Sequence, residues 1–326
     1  MSESAQTALG ASDHGSGFDV VALGEPLVEF SQDADGVGWR QGFGGDTSNF
    51  AIAAARAGAR SAYLSRVGDE DFGHALLRLW REEKVDCSAV EIDADSPTGI
   101  YFIRYDHEGH HFSYRRSGSA ATKMTLSPGF VRVIEQGRWL HVSGISQAIS
   151  EQACDTVFEA IRLARSAGRR VSFDLNFRAR LWPVARARTI ALETLPLCDL
   201  FLPSIDEAQA VFGLEDPVRL ATWAREQGAR AVAVKCGARG ALIADGTEYR
   251  AIAAPQVAAI DATGAGDCFG GVLVARLAAG DSLLDAARAA TAAASLATTG
   301  RGAIEPLPRW PEIAAAIHTI PAGSRP

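Results

Sequence analysis

Cysteine is scarce in this sequence and never occurs in a CxxC pair. The five cysteines lie far apart, and their number is odd. A disulfide framework or a structural zinc site would need paired or closely spaced thiols. The pattern therefore excludes both kinds of site and predicts reduced thiols, as in the cytoplasm.

Long apolar runs and clusters of basic residues are also missing. No apolar stretch reaches the ~18 residues that a membrane-spanning helix needs. Residues 1–17 lack the basic and apolar parts of a signal peptide, and their small, polar composition predicts a disordered leader. The net charge of −7 and the absence of a Lys/Arg run argue against a nucleic-acid partner. We therefore expect a cytoplasmic protein with neither a membrane nor a nucleic acid as its partner.

The sequence does contain enough apolar material for one large core. Hydrophobic residues make up 47% of the 326 residues. From about residue 137 onward, strand patterns such as RWLHVSG and AVAVKCG alternate with helical patterns. This alternation predicts an α/β fold, a mostly parallel Rossmann-like sheet with helices on both faces. We expect residues 18–326 to form a single domain.

Two segments, about 27–43 and 97–122, depart from that alternation. The first contains short strand patterns around a DADG turn. In the second, TGIYFIRY and HHFSYRR alternate in polarity and are joined by a short turn, which predicts a β-hairpin. The period of two places Phe112, Tyr114 and Arg116 on one face. Together the segments predict a small β-stranded lid, whose exposed edge could pair with a second copy of the chain in a homodimer or higher homo-oligomer.

The motif DATGAGD, residues 261–267, stands directly before an apolar helical pattern. Gly264 and Gly266 allow the backbone to approach an anion closely, and the free amides and the dipole of a helix start attract phosphate. Asp267 has two interpretations. It is either an acid stabilised by the helix dipole, or a base that accepts the proton of an attacking hydroxyl. The absence of GxxxxGK[ST] excludes a P-loop NTPase, and the absence of GxGxxG weakens a dinucleotide-binding interpretation.

The sequence resembles the ribokinase-like, pfkB-type carbohydrate kinase family. DATGAGDCFGGVLVARL is similar to the C-terminal signature of that family, and GFGGDTSNFAIAAARAGARSAYLSRVGDEDFG to its N-terminal signature. The resemblance covers about residues 18–310. It implies a ribokinase-like fold with a lid over a sugar, ATP as donor and magnesium as cofactor. It also implies that Asp267 is the catalytic base and that the backbone of Gly264, Ala265 and Gly266 forms an anion hole.

The resemblance extends to the nucleotide side of the site. The stretch SIDE, residues 204–207, is similar to the Asn-x-x-Glu motif of the family with serine in place of asparagine, and it implies that Glu207 helps to place magnesium through water. KCGARG resembles the glycine loop beside the ATP phosphates. A monovalent cation such as K⁺ is a further possible cofactor. The implied cofactor-binding residues are Ser204, Glu207, Lys235, Gly237, Gly240, Thr263, Gly264 and Gly266.

A second group of polar residues predicts a sugar site between the lid and the sheet. Glycines 44 and 45 would permit close approach, with Asp46 and Asn49 as hydroxyl partners; the alternative is a tight turn in which Asp46 or Thr47 caps a helix. Asp174, Asn176 and Arg178 alternate along the end of a predicted strand, which places them on one face at the carboxyl end, where α/β sheets bind ligands. The candidate substrate-binding residues are Glu25, Gly44, Gly45, Asp46, Asn49, Tyr101, Tyr114, Arg116, Asp174, Asn176 and Arg178.

The arginines among these residues bear on the substrate. A neutral hexose needs no guanidinium, whereas a sugar acid can pair with one bidentately; the alternative for Arg116 and Arg178 is a surface salt bridge. YFIRYDHEGHHFSYRRSGSAA and FDLNFRARLW are similar to stretches of 2-keto-3-deoxygluconate kinases within the family. The resemblance implies ATP-dependent phosphorylation of that sugar acid at its primary hydroxyl, giving the 6-phosphate. Fructose, another ketohexose, 5-keto-2-deoxygluconate or a nucleoside is the alternative substrate, and a sugar-sensing protein is the non-enzyme alternative.

Overall fold

The computed structural model describes residues 17–33, 36–106, 109–318, 320 and 324. Residues 1–16, which hold nearly all of the predicted leader, lie outside the described residues, as do parts of the two turns in the predicted lid.

Within the described residues the chain forms alternating strands and helices. The strands are β1 (Phe18–Leu23), β2 (Leu27–Gln32), β3 (Trp39–Gly44), β4 (Ser61–Leu64), β5 (Arg66–Gly68), β6 (Val85–Asp86), β7 (Glu91–Asp93), β8 (Gly99–Asp106), β9 (Gly109–Arg115), β10 (Gly137–Ser143), β11 (Arg170–Asp174), β12 (Leu200–Leu202), β13 (Ala231–Lys235), β14 (Ala241–Asp245) and β15 (Glu248–Ile252). The helices are α1 (Asp46–Arg56), α2 (Asp71–Glu82), α3 (Pro128–Gln136), α4 (Gly144–Ala148), α5 (Glu151–Ser166), α6 (Val184–Thr194), α7 (Ile205–Phe212), α8 (Pro217–Glu226), α9 (Ala265–Ala278), α10 (Leu283–Ala297) and α11 (Trp310–Ile317).

The large sheet confirms the predicted mostly parallel arrangement. Its strand order is β15-β14-β13-β12-β11-β10-β1-β4-β6, and only the β13–β14 and β14–β15 pairs are antiparallel. The central strands are buried on both faces, which explains their continuous apolar runs. The carboxyl ends of β11 and β13 therefore lie near one another at the same edge of the sheet.

Helices cover both faces of this sheet and divide the core into two layers. One layer packs α1, α9 and α10 against the sheet, and the other packs α5, α6 and α8. Helices α1 and α9 approach closely because α9 has glycines at the contact: a Cβ added at Gly271 would lie 2.4 Å from the carbonyl oxygen of Phe50. This contact brings the first turns of two helices from distant parts of the chain together.

The start of α1 differs from the predicted cap. Gly45, with φ of 103°, is the N-cap residue, and no side chain caps the helix. A Cβ at Gly45 would lie 2.4 Å from the carbonyl oxygen of Glu25, so the chain passes too close to the end of β1 for a larger residue. The prediction that Asp46 or Thr47 is the cap is therefore wrong, and Asp46 is the first residue of the helix instead.

The two segments that departed from the alternation form a separate four-stranded sheet, which we call the small sheet. Its order is β3-β2-β8-β9, with β2 and β8 parallel. Tyr101, Phe112 and Tyr114 stack along one face, and the guanidinium of Arg116 lies 5.5 Å from the ring centre of Tyr114. The predicted common face of residues 112, 114 and 116 is thereby confirmed. No helix in the described part of the chain is both long and apolar enough to cross a membrane.

Candidate functional site

Asp267 lies in the first turn of α9, directly opposite the first turn of α1. The side-chain amide of Asn49 donates a hydrogen bond of 2.8 Å to the carboxylate of Asp267. Because α1 and α9 pack closely, two residues 218 positions apart in sequence meet here. The contact fixes the direction in which the Asp267 carboxyl points.

The turn that leads into α9 is held by Asp261. Its carboxylate accepts hydrogen bonds from the Thr263 amide at 2.9 Å, the Thr263 hydroxyl at 2.6 Å and the Gly302 amide at 3.0 Å. Gly264 then takes φ of 75° as the N-cap of α9. A Cβ at Gly264 would lie 2.8 Å from the carbonyl oxygen of Ala303, so the turn packs against the segment that follows α10.

The amides of this turn are not equivalent. The Ala265 amide, which the resemblance places in the anion hole, donates to the Ala262 carbonyl at 3.2 Å. The amides of Gly266 and Asp267 have no acceptor among the described residues. As first-turn helix amides they carry the positive end of the macrodipole. The structure therefore offers these two N–H groups to an anion.

A chain of hydrogen bonds continues from α1 to the carboxyl edge of the large sheet. Asn176 donates from its side-chain amide to Asp46 at 3.0 Å, and its backbone amide donates to Asp174 at 3.2 Å. Asp174 accepts a hydrogen bond of 2.5 Å from the ammonium group of Lys235. That ammonium lies 3.5 Å from the position a Cβ at Gly266 would occupy, so the chain returns to the first turn of α9.

The geometry of Asn176 differs from the alternation that the sequence suggested. Strand β11 ends at Asp174, and Asn176 has φ of 35°, in the left-handed region. Residues 174, 176 and 178 are therefore not successive outward positions of one strand. Asp174, the last residue of the strand, and Asn176, in the turn that follows, reach the same site. Arg178 instead is half exposed and pairs with Glu207 at 3.2 Å.

Burial dominates the electrostatics of the carboxylates. The Asp267 carboxyl keeps some accessible surface, but protein surrounds it on most sides. This burial, together with the nearby charges of Asp46 and Asp174, raises the pKa of Asp267 to about 8. The hydrogen bond from Asn49 opposes the rise. Burial likewise raises the pKa of Asp174 to about 6, although Lys235 lowers it. Burial acts to lower the pKa of Lys235, but Asp174 and Glu207 outweigh it and the pKa is raised. Lys235 therefore remains an ammonium ion, and Asp267 is a stronger base than an ordinary aspartate.

Two oxygen atoms at the start of α1 lack hydrogen-bond partners. They are Oδ1 of Asp46 and Oδ1 of Asn49, both buried. Buried acceptors are almost always satisfied, and these two lie one helical turn apart. A ligand with neighbouring hydroxyl groups would satisfy both.

Ser204 and Glu207, which the sequence predicts to face the nucleotide, bind one another in a capping box. Ser204 is the N-cap of α7 and accepts from the Glu207 amide at 3.3 Å, while Glu207 accepts from the Ser204 amide at 3.2 Å. The serine thus supplies the cap that the start of α7 needs. The other carboxylate oxygen of Glu207 accepts from Arg178. Gly237 and Gly240, with φ of 58° and 96°, form the turn after β13.

On the sugar side, several predicted residues bind one another. Glu25 is fully buried and accepts hydrogen bonds from Arg116 and, at 2.8 Å, from the hydroxyl of Ser119. Burial raises the pKa of Glu25, and Arg116 opposes that rise. A Cβ at Gly44 would lie 2.5 Å from the hydroxyl of Tyr101. Glu25 therefore joins the end of β1 to the end of β9, at the base of the small sheet.

Three residues that shape the site have no role predicted from the sequence. Glu29 accepts a hydrogen bond from the hydroxyl of Tyr101, and Ser119 binds Glu25. Asp261 holds the Gly264 turn. For Glu29 a signal was available, because it is an acid at an inward position of an alternating strand. No group of His, Cys, Asp or Glu in the described ranges could hold a metal ion on its own.

We expect the pH dependence of stability to reflect the raised pKa of Asp267. With a pKa of about 8 in the folded state and 3.8 as the reference value, the folded carboxyl binds a proton across that interval. The free energy of unfolding should therefore fall as the pH rises from about 4 to 8. In Asp267→Asn this group no longer titrates, so the variant lacks this loss of stability. The free energy of unfolding of the variant, relative to that of the wild type, should therefore increase from acidic to mildly alkaline pH.

Chemical denaturation at about pH 5 and pH 8 measures the effect. Glu226→Gln, at an exposed carboxylate at the end of α8, is the matched control and should keep the wild-type dependence. Identical pH dependence in Asp267→Asn and the wild type would contradict the raised pKa.

Comparisons with known proteins identify the family of this chain. The pfkB family carbohydrate kinase model matches residues 18–310. A 2-dehydro-3-deoxygluconokinase of Thermoproteus tenax is 34% identical over 308 residues, covering 89% of this chain and 91% of the relative. Fructokinase-1 of Zea mays is 30% identical, covering 90% and 96%.

A solved structure shares the architecture. An E. coli protein assigned as a ribokinase II, solved in complex with ATP and Mg²⁺, superposes with a TM-score of 0.85 at 28% identity, covering 92% of this chain and 99% of that one. With the mostly parallel sheet, the small sheet and the glycine turn before α9, these similarities show that the chain belongs to the pfkB family of carbohydrate kinases.

Proposed function

We propose that this protein transfers the γ-phosphoryl group of ATP to the primary hydroxyl of a small sugar acid, 2-keto-3-deoxygluconate (2-dehydro-3-deoxygluconate), giving its 6-phosphate. The observation that carries the proposal is the position of Asp267. Its carboxyl stands beside two unpaired helix-start amides, with a raised pKa and an orienting bond from Asn49.

In this reaction the sugar hydroxyl oxygen forms a bond to the γ-phosphorus while the bond from that phosphorus to the bridging oxygen breaks and ADP leaves. Asp267 accepts the hydroxyl proton, and a pKa near the working pH suits a general base. The amides of Gly266 and Asp267 face the charge on the transferred group. Lys235, beside that turn, adds a second positive charge.

The residues present fit a magnesium ion that arrives with the nucleotide. Mg²⁺ keeps several water ligands and is usually held by phosphates plus one or two carboxylates. In our proposal Glu207 supplies the carboxylate that holds the magnesium ion. Both of its oxygens already accept hydrogen bonds, from Arg178 and the Ser204 amide, which favours contact through water over direct coordination.

A sugar acid is favoured because cationic groups stand near the predicted acceptor. Arg178 is half exposed and pairs with Glu207, and Arg116, which pairs with Glu25, lies 5.5 Å from the ring centre of Tyr114. The unsatisfied oxygens of Asp46 and Asn49 would accept from the sugar hydroxyls. Among the relatives, the 2-dehydro-3-deoxygluconokinase similarity supports this substrate, and the fructokinase similarity makes fructose the second candidate.

A coupled kinase assay on 2-keto-3-deoxygluconate and fructose, side by side, tests the proposal. We expect the sugar acid to give the higher kcat/KM. Asp267→Asn should lower kcat by about 10²–10⁴-fold, because a positioned base contributes that much, with little change in ATP affinity. A near-normal rate in this variant would refute the role of Asp267, and no turnover of either sugar would refute the proposed function.

Arg178→Ala tests the carboxylate contact. We expect the variant to raise the KM for the sugar acid far more than the KM for fructose, because fructose has no carboxylate to lose its partner. Arg186→Ala, at an exposed arginine of α6, is the control and should leave both values unchanged. Equal effects of Arg178→Ala on the two sugars would mean that this arginine does not contact the carboxylate.

We also propose that the protein works in the cytoplasm as a homodimer joined through the small sheet. The edge strand β3 exposes Trp39, and Val37 just before it is 80% exposed, a surface that a second copy could cover. Sedimentation of the kinase activity from a cytoplasmic extract should give the mass of a dimer. Activity sedimenting as a monomer would contradict the pairing.

A further inference from the structure

Arg56 is a buried cation at the end of α1, remote from Asp46 and Asn49 at its start. Its guanidinium binds the carboxylate of Glu83 with two bonds, of 2.9 and 2.6 Å, and its side chain is only 8% exposed. Glu83 follows α2 and has its pKa lowered mainly by the hydrogen bonds from Arg56. The pair is thus a fixed, doubly bonded ion pair at the far end of the helix that carries the sugar-side residues.

The same guanidinium also holds backbone. A third nitrogen of Arg56 donates to the carbonyl of Ile304 at 2.9 Å and to the carbonyl of Leu307 at 2.5 Å. These carbonyls belong to the segment 302–307 that follows α10. Arg56 therefore ties α1, the end of α2 and this segment together through one side chain.

The held segment supports the glycine turn. The amide of Gly302 donates to Asp261, and the backbone of Ala303 contacts Gly264, so neither can move without disturbing the turn. A cleft of ≈ 630 Å³, lined in part by Arg56, Glu305, Pro306 and Arg309, lies beside the segment. Because packing is incomplete there, the hydrogen bonds from Arg56 do much of the positioning.

We propose that Arg56, clamped by Glu83, is a positioning residue for phosphoryl transfer. It holds residues 302–307 against the turn at 261–264, and so sets where the amides of Gly266 and Asp267 point. Arg56 touches neither substrate in this scheme. The kinetic part of the inference rests on the proposed function, whereas the structural coupling does not.

Arg56→Lys is the first test. Lysine keeps the charge but cannot span two carbonyls and a carboxylate at once. We expect kcat to fall by about 10- to 100-fold, the scale of an ångström-sized misplacement, and the KM for ATP to rise, while the KM for the sugar stays within about twofold. A merely structural role would lower the stability of the protein without raising the KM for ATP more than the KM for the sugar.

Two further variants separate positioning from general destabilisation. Gly302→Ala strains a residue with φ of 88°, although a Cβ there would meet open space, so it shifts the same segment without touching Arg56. It should reproduce the kinetic pattern of Arg56→Lys. The control is Arg276→Lys, which weakens the similar two-bond pair, at 2.7 and 2.9 Å, between Arg276 of α9 and Asp281. It should leave kcat and both KM values unchanged.

Hydrogen exchange decides the coupling independently of activity. In Arg56→Lys the amides of residues 261–268 should exchange faster than in the wild type, along with those of 302–307, and Arg276→Lys should leave both segments unchanged. Faster exchange confined to 302–307, or kinetics in which Arg56→Lys and Arg276→Lys agree, would overturn the inference. The exchange result stands even if the protein phosphorylates neither test sugar.

Discussion

The close packing of α1 on α9 is the contact on which the site depends. Gly271 lets the two helix backbones touch, since a Cβ there would collide with the Phe50 carbonyl oxygen and approach Ala53 at 2.9 Å. At this separation Asn49 reaches Asp267, and Asp46 of the preceding turn faces the same space. Any side chain that pushed the helices apart would move the proposed base away from its orienting partner.

The site concentrates buried charge at the expense of stability. Asp46, Asp174 and Asp267 lie together with one ammonium ion, that of Lys235, between the sheet and α9. Burial raises the pKa of Asp174 and Asp267, which means that ionising them costs the folded state free energy. Such perturbed groups mark functional sites more often than structural ones. Oδ1 of Asp46 and Oδ1 of Asn49 are also buried without a hydrogen-bond partner, and each such atom costs the folded state free energy.

A small number of buried polar contacts join the small sheet and the glycine turn before α9 to the rest of the protein. Glu25 links the end of β1 with Arg116 and Ser119 at the base of the small sheet. Asp261 links the glycine turn to the segment after α10. The backbone at each junction passes so close to its neighbour that only glycine fits, at Gly45 and at Gly264. The small sheet and the segment after α10 are thus attached to the core at closely packed points.

Local patterns in the sequence predicted most of the helices and strands. Periodicity predicted β1, α1, the hairpin of β8 and β9, and the alternation that follows β10. It missed the helices α3, α4, α6, α7 and α11 and the strands β6, β7 and β15. It also extended β11 past Asp174, where the chain in fact turns at Asn176. These errors arise where tertiary contacts, and not local propensity, decide the conformation.

The sequence by itself determined the fold class and the family, because hydrophobic period and the two glycine-rich signatures are local and specific. It also predicted the glycine turn that precedes α9. Only the tertiary structure decided which polar groups touch: that Lys235 pairs with Asp174, that Glu25 holds Arg116, and that the Ala265 amide bonds within its own turn. Such pairings depend on how distant segments approach one another, and that approach is set by the packing of the whole core, which no local pattern encodes.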